Sequence, residues 1–398
     1  MNNFVYHSPT KVIFGKNAEE KAGREIKAWA GTKVLLHFGG NSARRSGLLD
    51  QIENSLRDAG LNYITLGGVV PNPRLSLVRE GVDLCRREGV DFLLAVGGGS
   101  TIDSAKAIAM ALANPEIDIW DIYAGKQKPV SCLPVGVVLT IAAAGSETSS
   151  SSVITNEDGW LKKGFGSDLI RPKFAFLNPE LTYTLPPYQT ASGIVDIMMH
   201  TIERYFCSRK GNELTDRLAE QVLRNTIKYG RICLAQPDHY QARSEVMWSG
   251  SVSHNHLTGL GGNGDFSAHA IEHELSGMFD VTHGAGLAAI WCWWARYVLK
   301  TDINRFAQYA INVWDCRLDP IDPEITALEG IKKTEEFFSS IDMPVNLEQL
   351  GIGKITEAQI QEMAAKCCDH GKRTIGTVRP LQIEDIKNIL QMANSQIA

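Results

Sequence analysis

Short apolar runs alternate with helical segments over roughly the first half of this 398-residue chain, and this alternation limits the possible folds more than any other feature. Apolar Val34–Phe38 and Phe92–Val96, together with Asn62–Leu66, are predicted strands. The helices predicted from the spacing of apolar residues cover Ser46–Ala59, Ser76–Glu88 and Ser100–Leu112. Continuous apolar strands between amphipathic helices are typical of a parallel sheet that is covered on both faces.

The sequence changes character at Thr184-Leu185-Pro186-Pro187, where adjacent prolines interrupt regular structure. Beyond them, helical periodicity dominates and few strand-like runs occur. The helices predicted there cover Ser192–Tyr205, Leu214–Lys228, Ala242–Val252, Ser267–Met278, Gly286–Leu299 and Ile331–Ile341. We therefore predict an α/β domain over residues 1–186 and an all-helical domain over residues 187–398.

The composition excludes several classes of protein. With 44% hydrophobic and 21% charged residues the chain is of ordinary globular type, and its net charge of -5 argues against a nucleic-acid partner. The longest apolar run, Leu287–Ala295, is far shorter than the roughly 20 residues that cross a membrane. The N-terminus lacks a basic start and an apolar stretch, and the scattered cysteines form no CxxC pair. We expect a cytoplasmic protein with reduced thiols and no membrane partner.

The predicted strand Phe92–Val96 leads through Gly97-Gly98-Gly99 directly into a helix. Glycines let backbone N–H groups approach a pyrophosphate, and a helix N-terminus adds unpaired donors. Ser100 is suited to cap the helix, Asp103 to complete a capping box, and Lys106 to reach back towards a phosphate. The pattern is not GxGxxG, and the alternative is a tight strand-to-helix turn; three consecutive glycines favour phosphate binding.

The second half carries a group of possible metal ligands. Asp196 and His200 are four residues apart, as are His269 and His273, so each pair shares one face of a helix; His283 follows soon after. A single such pair is more often structural than metal-binding. One carboxylate with several imidazoles is nevertheless a plausible site for Fe(II) or Zn(II).

Two further histidines, His254 and His256, are rival ligands. The single residue between them places them on different faces of a helix, which argues against a joint role.

Taken together, these segments resemble the iron-containing alcohol dehydrogenase family, and most closely its butanol-dehydrogenase-like branch. The matching stretches occur in the family's order over nearly the whole chain. They are NNFVYHSPTKVIFG, VVPNPR (Val69–Arg74), GGGSTIDSAKAIA (Gly97–Ala109), LTIAAAGSE (Leu139–Glu147), GIVDIMMHTIE (Gly193–Glu203) and HAIEHELSGMFDVTHGAGLA (His269–Ala288).

The resemblance implies a Rossmann-like cofactor domain followed by a helical metal domain, the architecture shared with dehydroquinate synthases. It implies a metal-dependent alcohol dehydrogenase or aldehyde reductase that transfers hydride between NAD(P)(H) and a primary alcohol or aldehyde such as butanol or butyraldehyde. The implied metal is Fe(II) or Zn, with His273 as a nearby group that handles substrate or proton. The implied metal ligands are Asp196, His200, His269 and His283. The implied cofactor-binding residues are Gly40, Asn41, Ser42, Asn72, Gly97, Gly98, Gly99, Ser100, Asp103, Thr140, Ser149, Lys162 and Thr182.

The residues after Val34–Phe38 bear on the choice of cofactor. They read Gly39-Gly40-Asn41-Ser42-Ala43-Arg44-Arg45, and the first carboxylate is Asp50. A carboxylate near the strand end would bind the ribose 2′-hydroxyl and repel a 2′-phosphate, whereas Ser42 and the arginines could bind that phosphate. We therefore expect NADP(H) rather than NAD(H), although the arginines could simply be a solvated pair.

The sequence is also compatible with three alternatives: a glycerol-dehydrogenase-like or a dehydroquinate-synthase-like enzyme on the same fold, or a metal-dependent hydrolase. The resemblance also suggests a homodimer formed through an N-terminal β segment, Phe4–Phe14. His256 stands where a small residue is usual in the family, which affects substrate preference rather than reaction class.

Overall fold

The computed structural model describes residues 2–207 and 211–395, and these divide into two units. One unit comprises His7–Leu185. The other comprises the described residues of Pro186–Ala398 together with those of Met1–Tyr6. Among the described residues, no helix is both long enough and apolar enough to cross a membrane.

The unit His7–Leu185 is built on a six-stranded, fully parallel sheet. Its order is β3-β2-β4-β5-β8-β1. The strands are β1 (Lys11–Phe14), β2 (Lys33–Phe38), β3 (Asn62–Leu66), β4 (Phe92–Gly97), β5 (Val135–Leu139) and β8 (Phe174–Leu177). The fold class expected from the apolar strands is confirmed, since β4, β5 and β8 are buried along their whole length.

A two-stranded antiparallel hairpin, β6 (Ser151–Asn156) and β7 (Leu161–Gly166), lies outside this sheet. Six helices connect the strands. They are α1 (Ala22–Ala28), α2 (Ser42–Arg45), α3 (Leu48–Asp58), α4 (Leu75–Glu88), α5 (Gly99–Ala113) and α6 (Ile119–Tyr123). Leu49, Ile52 and Leu56 of α3 pack into one apolar cluster with Leu36 and Leu94 of the sheet. This contact explains the helical spacing in the sequence.

His37 is the one polar side chain within β2 that is completely buried. Its Nδ1 lies 2.8 Å from Leu66 O and its Nε2 lies 2.9 Å from Ser104 Oγ. The histidine thus links β2 to β3 and to α5. Burial lowers the pKa of His37 to about 4, against a smaller upward effect of the Leu66 bond, so the ring is neutral at physiological pH.

The second unit is helical. Its helices are α7 (Pro187–Tyr205), α8 (Glu213–Ala235), α9 (Tyr240–His254), α10 (Ser267–Phe279), α11 (His283–Val298), α12 (Ile303–Trp314), α13 (Pro323–Ser340), α14 (Glu357–Cys367) and α15 (Ile383–Ala393). In the described part of this unit, the only β pairings are isolated bridges at Cys207–Gly264 and Ile375–Leu381. An all-helical second half was expected, but α12, α14 and α15 were not delineated from the sequence.

Two local expectations were wrong. The N-terminal β segment is Lys11–Phe14 rather than Phe4–Phe14, and it starts where Lys11 N donates to Lys173 O beside β8. The first helix of the second unit begins at Pro187 rather than at the predicted Ser192, although the two units do divide at the proline pair. Proline fits the first turn of a helix because the N–H that it lacks has no partner there.

Candidate metal centre and cofactor site

Three helices of the helical unit supply the predicted metal ligands. Asp196 and His200 lie one turn apart on α7, His269 lies on α10, and His283 is the first residue of α11. Asp196, His200 and His269 are buried, whereas the side chain of His283 keeps 26% of its surface exposed.

The ligand atoms of these four residues converge on one oxygen. Asp196 Oδ1 lies 3.3 Å from His200 Nε2, 3.9 Å from His269 Nε2 and 3.8 Å from His283 Nε2. Imidazoles turned by their Nε2 atoms towards a shared carboxylate oxygen form the donor set that Fe(II) and Zn(II) prefer. His269 Nε2 is buried and has no hydrogen-bond partner among the described residues, as expected of an atom that needs a cation.

Two buried glutamates hold the outer nitrogens of two of these rings. Glu203 Oε2 contacts His269 Nδ1, and Glu272 Oε2 contacts His283 Nδ1. Glu203 Oε1 also accepts from Ala268 N at 2.8 Å. A carboxylate that accepts from Nδ1–H fixes the tautomer of the ring. The lone pair of Nε2 is then available to a metal ion, and the carboxylate raises the basicity of Nε2.

Neither glutamate was predicted as a site residue from the sequence. A signal was present: Glu203 is seven residues after Asp196 and three after His200, and Glu272 is three after His269. Residues at such spacings share a helix face. What the sequence alone could not supply is that Glu203 on α7 serves a histidine on α10, and that Glu272 on α10 serves one on α11.

His200 has different surroundings from the other two imidazoles. Its Nδ1 lies 3.5 Å from Arg204 Nη1, and the same nitrogen of Arg204 donates to His200 O at 2.7 Å. The ring of His254 stacks on that of His200, with centroids 3.9 Å apart. Burial, followed by His254, His269 and Arg204, holds the pKa of His200 well below its usual value. Burial lowers the pKa of Arg204 only to about 10, so its guanidinium stays protonated at neutral pH.

The other candidate histidines take separate positions. His273 lies at the edge of the group, with its ring centroid 5.7 Å from that of His283 and 6.5 Å from that of His269. His254 ends α9, and His256 lies beyond the helix at a φ of 75°. The expectation that both lie on one helix was therefore wrong, and His254 lies beside a ligand candidate rather than among the ligand atoms.

The cofactor candidates of the other unit follow the carboxyl ends of the parallel strands, where ligands bind in open α/β sheets. Gly40, Asn41 and Ser42 follow β2, and the last two are exposed at the start of α2. Asn72 follows β3 and is buried in the left-handed region, with a φ of 55°. Thr140 follows β5, and its N–H donates to Gly97 O at 3.1 Å.

The three glycines at the end of β4 are closely packed. A Cβ on Gly97 would lie 2.4 Å from Thr101 Oγ1, and one on Gly98 would lie 3.1 Å from Ile141 Cβ. Helix α5 begins at Gly99, with Gly98 as its N-cap and no side chain bonded to the cap. The unpaired N–H groups at the start of α5 therefore lie next to glycines, which have no side chain to keep a pyrophosphate away.

Three roles expected around this loop were wrong. Ser100 is not the N-cap, and Asp103 does not complete a capping box. Instead, Asp103 accepts from Ser146 Oγ at 2.5 Å and from Val153 N at 2.9 Å. Lys106 does not extend towards a phosphate. It is fully buried, and its Nζ donates to the carbonyl oxygens of Ser146, Ser149 and Ser151 at 2.7–3.1 Å.

Three more predicted cofactor residues are buried. Ser149 lies in the segment held by Lys106, where its Oγ is 3.3 Å from Nζ. Lys162 is on β7, paired with Thr155, whose N–H donates to Pro73 O at 2.8 Å beside Asn72. Thr182 follows β8 and donates to Pro179 O at 2.7 Å. The hairpin thus lies next to the loop after β3, within the unit His7–Leu185.

Comparison with protein families gives two matches. The model "Iron-containing alcohol dehydrogenase" matches residues 9–179, and "Fe-containing alcohol dehydrogenase family, C-terminal" matches residues 190–394. Together they cover both units.

Individual relatives agree with these matches over their full length. The NADH-dependent butanol dehydrogenase A of Clostridium acetobutylicum is 41% identical over 98% of this chain and 99% of that protein. The NADPH-dependent aldehyde reductase YqhD of Escherichia coli is 36% identical over 99% of this chain and 100% of that protein. The crystal structure of the NADH-dependent butanol dehydrogenase A of Thermotoga maritima matches with a TM-score of 0.94 at 35% identity, over 99% of both chains.

Proposed function

The chain belongs to the iron-containing alcohol dehydrogenase family, as a nicotinamide-dependent oxidoreductase of alcohols and aldehydes, and we propose that it acts on a short primary alcohol such as butanol and on the corresponding aldehyde. The names of its relatives, a butanol dehydrogenase and an aldehyde reductase, support both directions of this reaction. They favour this reaction over those of the metal-dependent hydrolase and the dehydroquinate-synthase-like enzyme that the sequence left open.

The observation that carries the proposal is the convergence of three Nε2 atoms on Asp196 Oδ1. We assign Asp196, His200, His269 and His283 as ligands of one divalent iron or zinc ion. The fit rests on the donor set and on the buried, unpartnered Nε2 of His269. A divalent ion held there supplies a Lewis acid for the alcohol or carbonyl oxygen of the substrate.

The protein's own groups orient this site. Glu203 and Glu272 fix two of the imidazoles with Nε2 directed at Asp196. His273, at the edge of the group and partly exposed, is the proposed side chain that passes the proton released or taken up by the substrate oxygen.

In the other unit, we assign the pyrophosphate to Gly97–Ser100 and the start of α5. The remainder of the cofactor is assigned to Gly40, Asn41, Ser42, Asn72, Asp103, Thr140, Ser149, Lys162 and Thr182. Asp103 and Ser149 would act mainly by shaping the site, because Asp103 accepts from Ser146 Oγ and Val153 N, and Ser149 Oγ accepts from Lys106 Nζ. The nicotinamide supplies or accepts the hydride.

We propose NADP(H) as the preferred cofactor, although relatives are named for each of the two cofactors. Support comes from α2, where Ser42, Arg44 and Arg45 are exposed directly after β2. Arg44 also stacks over the ring of Phe38, 5.6 Å from its centroid, which leaves its guanidinium near the end of β2. A preference for NADH of tenfold or more in kcat/KM would contradict this assignment. Replacement of Arg44 and Arg45 by glutamine should weaken the binding of NADPH more than that of NADH.

Oligomeric state and location complete the proposal. β1 pairs with β8 on one side only, so its other edge pairs with no strand among the described residues. An exposed edge of this kind suits pairing with a second copy, and we propose a homodimer, to be tested by light scattering. Cytoplasmic location is supported by the eight free cysteines, seven of which are buried.

The first experiment is to measure the metal content of anaerobically purified protein together with NADPH and NADH oxidation on butyraldehyde. About one iron or zinc ion per chain, with activity lost on chelation and restored by metal, is the expected result. Bound metal without cofactor oxidation on any short aldehyde would overturn the reaction, and absence of metal after reconstitution would overturn the ligand set.

A further inference from the structure

The three imidazoles of the metal centre do not have equivalent support. His269 and His283 each direct Nδ1 at a fully buried glutamate. At His200 the neighbour of Nδ1 is the guanidinium of Arg204, at 3.5 Å. A guanidinium has only donors, so the two kinds of support have opposite chemical character.

This difference sets the proton position on each ring. With Arg204 as donor, Nδ1 of His200 accepts, and the proton of the neutral ring is on Nε2, which faces Asp196 Oδ1 at 3.3 Å. Binding a cation through Nε2 requires that proton to move to Nδ1, where it meets the N–H of Arg204 instead of an acceptor. His269 and His283 incur no such conflict, because their carboxylates accept from Nδ1–H.

The positive charge of Arg204 also weakens the binding of a cation by His200. Arg204 is buried against this site, held by its bond to His200 O at 2.7 Å and by the ring of Phe266, 5.0 Å from the guanidinium carbon. A fixed positive charge beside a ligand disfavours a second positive charge at that ligand, and burial reduces the screening of this repulsion.

We propose that Arg204 is a positioning residue of the metal centre: in the place where the other two imidazoles have a carboxylate, its guanidinium makes His200 the weakest ligand and the one from which a divalent metal ion is released first. The proposal rests on the ligand set assigned above.

The test is Arg204→Gln, whose amide oxygen can accept from Nδ1–H and whose side chain carries no charge. Full-length protein is loaded with Zn2+ and mixed with an excess of a chelating indicator, and the rate of zinc release is followed by absorbance. Release should be about tenfold slower than in the wild type, in line with the effect of changing a group that supports a metal-bound histidine. Arg204→Lys keeps the charge and the donor, and its rate should stay within about twofold of the wild type.

The expected sign separates this role from a structural one, because damage to the fold would speed release rather than slow it. Arg243→Gln is the matched control: it removes another buried guanidinium of the same unit, which donates to Pro237 O and Thr190 Oγ1, and it should not slow release. The visible spectrum of cobalt-loaded Arg204→Gln should also differ from that of the wild type, since the donor strength of His200 changes.

Release from folded Arg204→Gln at the wild-type rate or faster overturns the proposal. If that variant does not fold, Arg204→Met removes the charge and the donors without supplying an amide acceptor, with slower release expected and equal or faster release contradicting the proposal. A wild-type chain that binds no zinc would instead overturn the ligand set, so the two failures are distinguishable.

Discussion

The two candidate sites differ in whether backbone or side-chain groups form them. The candidate cofactor site in His7–Leu185 consists largely of backbone: three glycines, the start of α5 and the ends of parallel strands. The metal centre in the helical unit consists of side chains, with four ligand candidates and two glutamates from α7, α10 and α11. A site of the first kind should be sensitive to side-chain volume, and one of the second kind to chemical identity and charge.

The largest effect is expected where the metal centre loses a ligand. His269→Ala removes a buried Nε2 and leaves Glu203 without its imidazole partner. Loss of Lewis-acid assistance amounts to several kcal/mol, so kcat/KM should fall on the order of a thousandfold, together with metal content. Metal analysis and aldehyde reduction on the same preparation measure both.

A histidine outside the cluster provides the control. His370→Asn changes an exposed histidine of the same unit at a φ of 54°, a conformation that asparagine tolerates, and should leave metal content and turnover unchanged. Wild-type turnover with full metal content in His269→Ala would contradict the assignment of His269 as a metal ligand.

Charge in the layer behind the ligands is tested by Glu203→Gln, with Glu272→Gln as its counterpart at His283. Each keeps the size of the side chain but removes the charge that supports Nδ1. Metal affinity should fall 10- to 100-fold in each variant, measured by competition with a chelator of known affinity. Unchanged affinity in both would mean that these carboxylates only fill space, and the side-chain site would then depend on its ligands alone.

The sequence could predict the parts of these sites that follow from local spacing. Asp196 and His200 on one face of α7, and Gly97–Gly99 between β4 and α5, depend only on helix and strand geometry. The apolar strands likewise predicted the parallel sheet. These features require no knowledge of which elements are neighbours in space.

Contacts between distant elements could not be predicted in this way. Lys106 extends to a segment some 40 residues further along the chain, and Glu203 to a histidine 66 residues away. The left-handed conformation of His256 depends on how α9 ends, which apolar periodicity does not reveal. Each of these results from tertiary packing, where one sequence pattern is compatible with several partners.

The sensitivity of the backbone site to volume is tested by Gly98→Ala. The new Cβ would lie 3.1 Å from Ile141 Cβ and Cδ1, so the loop or Ile141 must shift by a few tenths of an ångström. We expect about a tenfold rise in KM for the cofactor, roughly 1.4 kcal/mol, with metal content unchanged. Gly164→Ala on β7, where a Cβ makes only ordinary contact at 3.7 Å, is the control. A matching loss of metal in Gly98→Ala would remove the distinction between the two sites.

The last comparison concerns two buried histidines, one in each unit, whose nitrogens have different partners. His269 directs Nε2 at Asp196, whereas His37 on β2 has both nitrogens bonded within the protein, to Leu66 O and Ser104 Oγ. Burial lowers the pKa of His37 from 6.5 to about 4. The unfolded chain therefore takes up a proton on this histidine first, and its contribution to stability is complete above pH 6.5 and is lost as the pH falls towards 4.

That loss is at most about 3 kcal/mol, because one pKa unit corresponds to about 1.4 kcal/mol. His37→Asn cannot titrate and can still donate to Leu66 O, so the urea midpoint of the full-length protein should fall less between pH 7.5 and pH 4.5 than in the wild type, even if the variant is less stable at pH 7.5. His7→Asn, at an exposed histidine of the same unit, should retain the wild-type slope. Equal slopes in all three proteins would mean that His37 accepts a proton within the fold as readily as in the unfolded chain.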